Sequence, residues 1–347
     1  MATTITEHDV IYAGGDKKIH YLAVGPTDGP LILFLHGFVG TGITWKAQID
    51  AFAGLGFRAV APDMPGYGRS TARRVADDYC QEALVEGMMA LLADNGRPAA
   101  IWVGHDWGAG VTSSVATQHP EAVTALVNLV VPFRTIERGW DGFKPLIDRT
   151  LYPADEFEFG QWDYMKNFEE NFERTVEWFD SDIAGICKAF QQRPAGPPVS
   201  RFATGLATVR RDGGWMGGAP KPPGVDATGP PMLPPEVYNS FAGDMQRTGY
   251  WQGAAYYLHH KRNAEYNGKA PSEGKLTQPV LFIHGAWDLV CETKTSRLAD
   301  PMRQNCSNLT EVTIEAGHFL HYEKPTEVNA ALSNFIKEKL PSEWPGL

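Results

Sequence analysis

The sequence predicts an α/β architecture in which a mostly parallel, doubly wound sheet is interrupted by a largely helical insertion. Three observations carry that expectation. Short, continuously apolar runs alternate with segments of helical spacing in the first 130 residues and again in the last 70 or so. One such run, residues 99–103, ends in a Gly-x-Asp-x-Gly corner made by Gly104, Asp106 and Gly108. From Phe133 to about Asn267 the alternation gives way to aromatic-rich helical stretches and a Pro/Gly-rich loop.

Taken in order, residues 10–13 and 18–24 flank Gly14-Gly15-Asp16, which predicts an opening β-hairpin. Leu31-Ile32-Leu33-Phe34-Leu35 is apolar up to His36, as expected of a strand buried on both faces. A Gly-rich stretch, 37–42, leads into a helix containing Trp45 and Ile49. Residues 57–62 read as the next strand, closed by Asp63-Met64-Pro65-Gly66-Tyr67-Gly68-Arg69-Ser70. Leu84, Met88, Leu91 and Leu92 recur at helical spacing within an expected helix over 79–93. The corner strand and its helix follow, then a strand over 123–131. Helical character is expected over 155–189, and 193–235 reads as a long loop of the kind that is usually a lid or other functional segment. The alternation resumes with a strand over 280–284, a helix near 293–304, a strand over 309–315 and a last helix over 326–339, which Pro325 starts. The implied division is a core of 1–133 and 271–347, with 134–270 as a cap (lid) over the carboxyl ends of the strands, where open α/β sheets bind their ligands.

Composition narrows the function. The chain has 347 residues and 43% hydrophobic content, enough for a sizeable core. A formal net charge of −10 with no basic block argues against a nucleic-acid or anionic-membrane partner. No apolar run approaches the ~20 residues that a membrane span needs. Cys80, Cys187, Cys291 and Cys306 lack metal-ligand spacing and are too sparse for a disulfide scaffold. Reduced thiols, and an N-terminus without a basic-then-apolar leader, predict a cytoplasmic protein. Neither His259-His260 nor the His318/His321 pair has a carboxylate or Cys at ligand spacing, so no metal or other cofactor is expected. Association into a homodimer is left open.

The corner carries the chemistry. Glycines two residues either side of Asp106 allow a sharp, strained turn and a close approach of strand and helix. With Ser at its tip, the same frame is the nucleophile elbow of α/β-hydrolases. A carboxylate there would attack an alkyl carbon and form an ester, and that ester must be hydrolysed by water activated by an oriented base. The chain order in that layout is nucleophile, acid, histidine. His318, in Ala316-Gly317-His318 after the last strand, is the expected base, with His321 its nearest competitor. Asp288, after the strand over 280–284, is the expected acid, because 125–136 contains no carboxylate. Glu292 is the fallback, with a helix-start carboxylate as its other reading. Hydrolysis would build an oxyanion on the nucleophile, so backbone N–H groups must point at it. Trp107 supplies one by the elbow geometry, and Phe38, after His36-Gly37, the other.

His36-Gly37-Phe38, the 63–70 segment, Gly104-His105-Asp106-Trp107-Gly108 and the Asp288/His318 pair resemble the α/β-hydrolase-fold epoxide hydrolases of the soluble type. The resemblance covers nearly the whole chain, cap included. It implies an α/β-hydrolase fold, a small-molecule epoxide substrate, and two cap tyrosines that hydrogen-bond the epoxide oxygen and protonate the departing alkoxide. Tyr164 is similar to the first and Tyr257 to the second, with Tyr256 one residue away as a rival. The resemblance also places Phe38 and Trp107 at the substrate. The chain departs from the family at Val39, where the loop usually carries Pro.

A haloalkane dehalogenase would share the Asp nucleophile and the His-Asp-Trp-Gly sequence. It usually takes a second halide donor, commonly Asn, where this chain has Phe38. A non-catalytic receptor for a small molecule would be favoured by loss of one of Asp106, Asp288 or His318, and all three are present. The aromatic cap suggests an apolar, or aryl, epoxide.

Overall fold

The computed structural model describes residues 4–345 except 195, 228 and 230. Eight strands form one sheet in the order β1-β2-β4-β3-β5-β6-β7-β8. β1 (Thr6–Tyr12) and β2 (Lys17–Val24) are the expected hairpin. β2 also runs antiparallel to β4 (Arg58–Pro62). All other pairings, through β3 (Leu31–Leu35), β5 (Ala100–His105), β6 (Val123–Leu129), β7 (Val280–Gly285) and β8 (Leu309–Ile314), are parallel. β3, β5 and β7 are buried at every position, which is why they read as unbroken apolar runs rather than alternating ones.

Helices α1 (Lys46–Gly54), α2 (Gln81–Asp94) and α3 (Trp107–Gln118) belong to the first half of the sheet. α3 packs on β5 and β6. Asn128 of β6 helps to seat it, accepting from the Thr112 hydroxyl at 2.8 Å and donating to Ser113 Oγ at 2.9 Å. Between β6 and β7 the chain inserts α4 (Gly139–Phe143), α5 (Asp163–Glu170), α6 (Phe172–Asp180), α7 (Ile183–Phe190), the irregular turn α8 (Trp215–Gly218), α9 (Pro235–Thr248), α10 (Trp251–Ala255) and α11 (His260–Gly268). α12 (Asp300–Asn305), α13 (Leu320–Glu323) and α14 (Pro325–Lys339) complete the chain. Among the described residues no helix is long and apolar enough to cross a membrane.

Three expected elements differ in extent. The strand over 123–131 stops at Leu129, because Val130 takes a φ of 62° and turns the chain out toward the insertion. The helical stretch over 155–189 is three helices. Non-helical Asn171 breaks α5 from α6, and the Asp182 carboxylate starts α7 by accepting from Gly185 N–H at 2.8 Å. The helix near 293–304 shrinks to α12. Ahead of it the Glu292 carboxylate accepts from the N–H groups of Lys294, Thr295 and Ser296 at 2.7–2.9 Å, satisfying that backbone in a turn.

Candidate active site

Asp106 occupies the corner between β5 and α3 with φ 53° and ψ −123°. A non-glycine residue held there costs roughly 1–3 kcal/mol, and such strain persists only where the surroundings over-determine it. They do so here. A Cβ on Gly108 would lie 2.2 Å from the Leu35 carbonyl oxygen, so glycine is what lets α3 start this close to β3. α3 begins at the next residue, Trp107, which puts the Asp106 carboxylate at a helix N-terminus.

The loops after β7 and β8 bring the other two predicted residues to Asp106. His318 Nδ1 donates to Asp288 Oδ2 at 2.9 Å, and its Nε2 faces Asp106 Oδ2 at 3.5 Å. The other Asp288 oxygen accepts from Val290 N–H at 2.7 Å and Cys291 N–H at 3.1 Å, so the carboxylate has no freedom to rotate. Burial opposes a charge on His318, but Asp288 and then Asp106 outweigh it and hold the imidazole up at about 10. Burial also opposes a charge on Asp106. His318 overrides that too and, with help from the Trp107 N–H, keeps the carboxyl below its usual range. Asp106 and His318 are therefore an ion pair before any substrate arrives.

The loop after β3 supplies a donor. Phe38 N–H reaches Asp106 Oδ1 at 2.8 Å. A Cβ on Gly37 would sit 2.3 Å from that oxygen and 2.6 Å from the Trp107 nitrogen, so both backbone donors converge on one spot. The Phe38–Val39 peptide bond is cis, and the absence of Pro at 39 leaves the Phe38 donor in place. The Phe38 ring points the other way, into the insertion, against Phe168, Phe179, Phe190, Tyr250 and Tyr257.

Tyr164 of α5 and Tyr257, just beyond α10, come together with ring centroids 6.0 Å apart. Tyr257 also stands edge-on to Trp107 at 5.0 Å and stacks on Phe168 at 4.5 Å. Burial, with the nearby Asp106 charge acting the same way, drives both phenols well above their ordinary range. Tyr256, the rival one residue earlier, is elsewhere: its hydroxyl donates to the Pro65 carbonyl at 2.8 Å and its ring stacks on Tyr79.

A narrow cavity opens beside Asp106, walled mainly by Val131, Ile136, Phe143, Trp162, Met165 and Leu298, with Tyr164 also in its lining. The side chains of Phe38, Trp107 and Tyr257 are not part of that lining. Of the remaining candidates, Glu292 serves the turn before α12, and His321 is buried between His105 and Trp45. Asp288, Cys291 and His318 bring potential ligand atoms within 4.8 Å of one another. The Asp288 oxygens and His318 Nδ1 are already committed to each other and to backbone N–H groups, which does not fit a metal centre.

Sequence reasoning did not find the residues that hold the loops. His36 Nδ1 donates to the Gly37 carbonyl at 3.0 Å while its Nε2 accepts from Met64 N–H at 2.9 Å, and burial keeps this imidazole neutral, at about 4. His105 Nε2 donates to the His318 carbonyl at 2.8 Å. Glu323 accepts from Gly317 N–H at 2.8 Å. Apart from the contact between the neighbours His36 and Gly37, each link spans the fold or a turn with no local spacing signature.

Comparison with known proteins gives the chain its family. Residues 30–185 match the α/β hydrolase fold family. Epoxide hydrolase 3 of Siraitia grosvenorii is 30% identical over 341 residues, covering 96% of this chain and 98% of that protein. Epoxide hydrolase A of Mycobacterium tuberculosis is 29% identical, covering 92% and 94%. The crystal structure of epoxide hydrolase A from Mycobacterium thermoresistibile superposes with a TM-score of 0.75 at 28% identity, over 96% of this chain and 98% of that one. With the Asp-tipped elbow, the histidine facing it and the helical insertion above, these matches establish that the chain belongs to the epoxide hydrolases of the α/β-hydrolase fold.

Proposed function

We propose that the protein opens an apolar or aryl epoxide and releases a vicinal diol through a covalent ester on Asp106, with 134–270 acting as the cap over a core of 1–133 and 271–347. The observation that carries this reading is the line Asp288–His318–Asp106, which ends on a carboxylate with a backbone donor already on its second oxygen.

In the first half-reaction Asp106 attacks an epoxide carbon and the C–O bond on the far side breaks. Tyr164 and Tyr257 hydrogen-bond the oxygen and give it a proton. Their raised phenol values keep both protonated at neutral pH and able to act as donors. Tyr257 is preferred to Tyr256 because its ring meets Tyr164 and Trp107, whereas the Tyr256 hydroxyl is spent on Pro65.

Esterification then changes His318. The Asp106 charge is one of the causes holding the imidazolium protonated, and the ester abolishes it. His318 loses its proton, which balances the one the tyrosines gave up, and becomes a base oriented by Asp288. It takes a proton from water. The water oxygen adds to the Asp106 carbonyl carbon, and the oxyanion rests on the Phe38 and Trp107 N–H groups, where loss of one donor costs about 2.7–4 kcal/mol in a comparable hole. Collapse of that intermediate frees the diol and restores the carboxylate.

Single turnover with enzyme in excess over styrene oxide in oxygen-18 water tests the scheme. The first diol should carry unlabelled oxygen from Asp106, and the label should appear in Asp106. Diol labelled directly from solvent in that turnover overturns the covalent route. Halide release from a haloalkane without diol formation from any epoxide would instead make the chain a dehalogenase.

A further inference from the structure

The cavity beside Asp106 has no open mouth. Every residue that lines it is at least nine-tenths buried, the most exposed being Ile136 and Cys291 at 9%. An epoxide therefore reaches the nucleophile only when part of that wall moves. The wall has three parts. One is the stretch 131–136, where the chain leaves the sheet, and another runs from Phe143 to Met165 in the insertion. The third is formed by Cys291 and Leu298, between β7 and α12.

The first two parts are tied by buried contacts. The Glu137 carboxylate accepts from the Arg134 and Thr135 N–H groups, and the Glu137 carbonyl accepts from Asn267 Nδ2 at 3.1 Å. In the insertion, Phe143 stands edge-on to Trp162 at 4.9 Å, and Tyr164 N–H donates to the Leu206 carbonyl at 3.1 Å. The third part is fixed at its root only. Trp162 Nε1 donates to the Val290 carbonyl at 2.9 Å, and Thr293 Oγ1 shares a hydrogen bond of 2.6 Å with His284 Nδ1. Residues 294–298 belong to no helix or strand, and their backbone N–H groups are answered by Glu292 and Ser296 within the same turn. Among the described residues, their one hydrogen bond to the insertion comes from Arg201 to Thr295 Oγ1, at an exposed position where Arg201 also faces Asp148 at 3.6 Å. Leu298 is 2% exposed, whereas the Arg297 side chain beside it is 70% exposed, so solvent lies directly behind this part of the wall.

We propose that Leu298 and Arg201 determine which epoxides are admitted: the 294–298 turn is the gate to Asp106, Leu298 is its inner face, and Arg201 is the clasp that holds it to the insertion. This rests on the epoxide-opening reading above. Swinging the turn outward breaks one solvent-facing hydrogen bond and uncovers one leucine, whereas displacing either other part of the wall breaks buried bonds, which are costlier to lose. The clasped state shuts substrate out, so the apparent affinity for an epoxide is scaled by the fraction of molecules with the turn open. Arg201 acts through the turn and touches no group assigned to the reaction.

The test uses styrene oxide and the bulkier trans-stilbene oxide. Arg201→Met and Thr295→Val each remove the clasp at an exposed position. Each should lower KM for styrene oxide up to about fivefold, the range that an exposed pair contributes, and leave kcat unchanged. Leu298→Ala should raise kcat/KM for trans-stilbene oxide about tenfold relative to styrene oxide, a change of the size that pocket reshaping gives. A direct lock is made by bridging Arg201→Cys/Thr295→Cys with a short bismaleimide, since the four native thiols are buried, with wild type treated alike as the control. Bridging should cut kcat/KM for styrene oxide about tenfold or more against the same variant capped with N-ethylmaleimide, because the open fraction falls. Turnover unchanged by the bridge, or KM unchanged in both clasp variants, overturns the proposal. Failure of the wild type to form diol from either epoxide would overturn the reaction assignment itself, a result distinct from an enzyme that turns over with its turn locked.

Discussion

The sheet and the insertion hold their candidate catalytic groups in opposite ways. In the sheet, Asp106 and His318 face each other as a charged pair, and they and Asp288 are each fixed by directional hydrogen bonds, several from backbone N–H groups. In the insertion, Tyr164 and Tyr257 are neutral and are fixed by ring packing against Trp215, Phe168 and Trp107. Charge in a dry interior must be answered atom by atom, whereas a phenol brings a large apolar body to pack and a single hydroxyl to satisfy. The proposed nucleophile and base are thus held by directional bonds, and the proposed proton donors by the packing of their rings.

Breaking the charged side should cost most. Asp106→Ala should lower kcat by about 10⁴-fold or more, as loss of a covalent nucleophile does, with styrene oxide turnover as the readout. His318→Gln should separate the half-reactions: one equivalent of alkyl-enzyme accumulates, visible as a mass increase on intact protein, while hydrolysis stops. Release of diol from that variant at the wild-type rate would remove His318 from the scheme. On the cap side, Tyr164→Phe and Tyr257→Phe should each slow alkylation in stopped-flow, with the double variant losing about 10²–10⁴-fold, the range of general-acid contributions. Hydrolysis of a preformed ester should change little in both.

A smaller effect sharpens the contrast through pH. His318 is held at about 10 against an ordinary 6.5. A raised folded value means its pairing contributes stability that is complete below 6.5 and is lost as pH rises through 10. Tm should therefore fall between pH 7 and 10 by more in the wild type than in His318→Gln. Ester hydrolysis should titrate well below 10, because esterified Asp106 no longer holds the proton on His318. Equal Tm profiles in the two proteins would contradict the ion pair.

Legibility in the sequence follows the same divide. Asp106, His318 and Asp288 were readable because backbone rules expose them: a glycine-framed corner after an apolar run, and loops directly after late strands. The hairpin and the buried strands were readable for the same reason. The tyrosines were not readable from spacing, since a ring at helical periodicity looks the same whether it packs or reacts, and only the family resemblance singled them out. The helix near 293–304 was overextended because apolar spacing cannot show that Glu292 will take three N–H groups for itself. The loop-holding roles of His36, His105 and Glu323 are not legible in the sequence, because their partners are chosen by the fold.

Phe38 joins the two regimes in one residue. Its N–H is committed to the nucleophile's oxygen while its ring is clasped by five rings of the insertion. A shift of the insertion would therefore be felt at the donor on Asp106 Oδ1. On the covalent scheme proposed above, this makes an interlock: the ester would be hydrolysed only with the insertion seated, and a variant that loosens those five rings would leave the substrate tethered to Asp106.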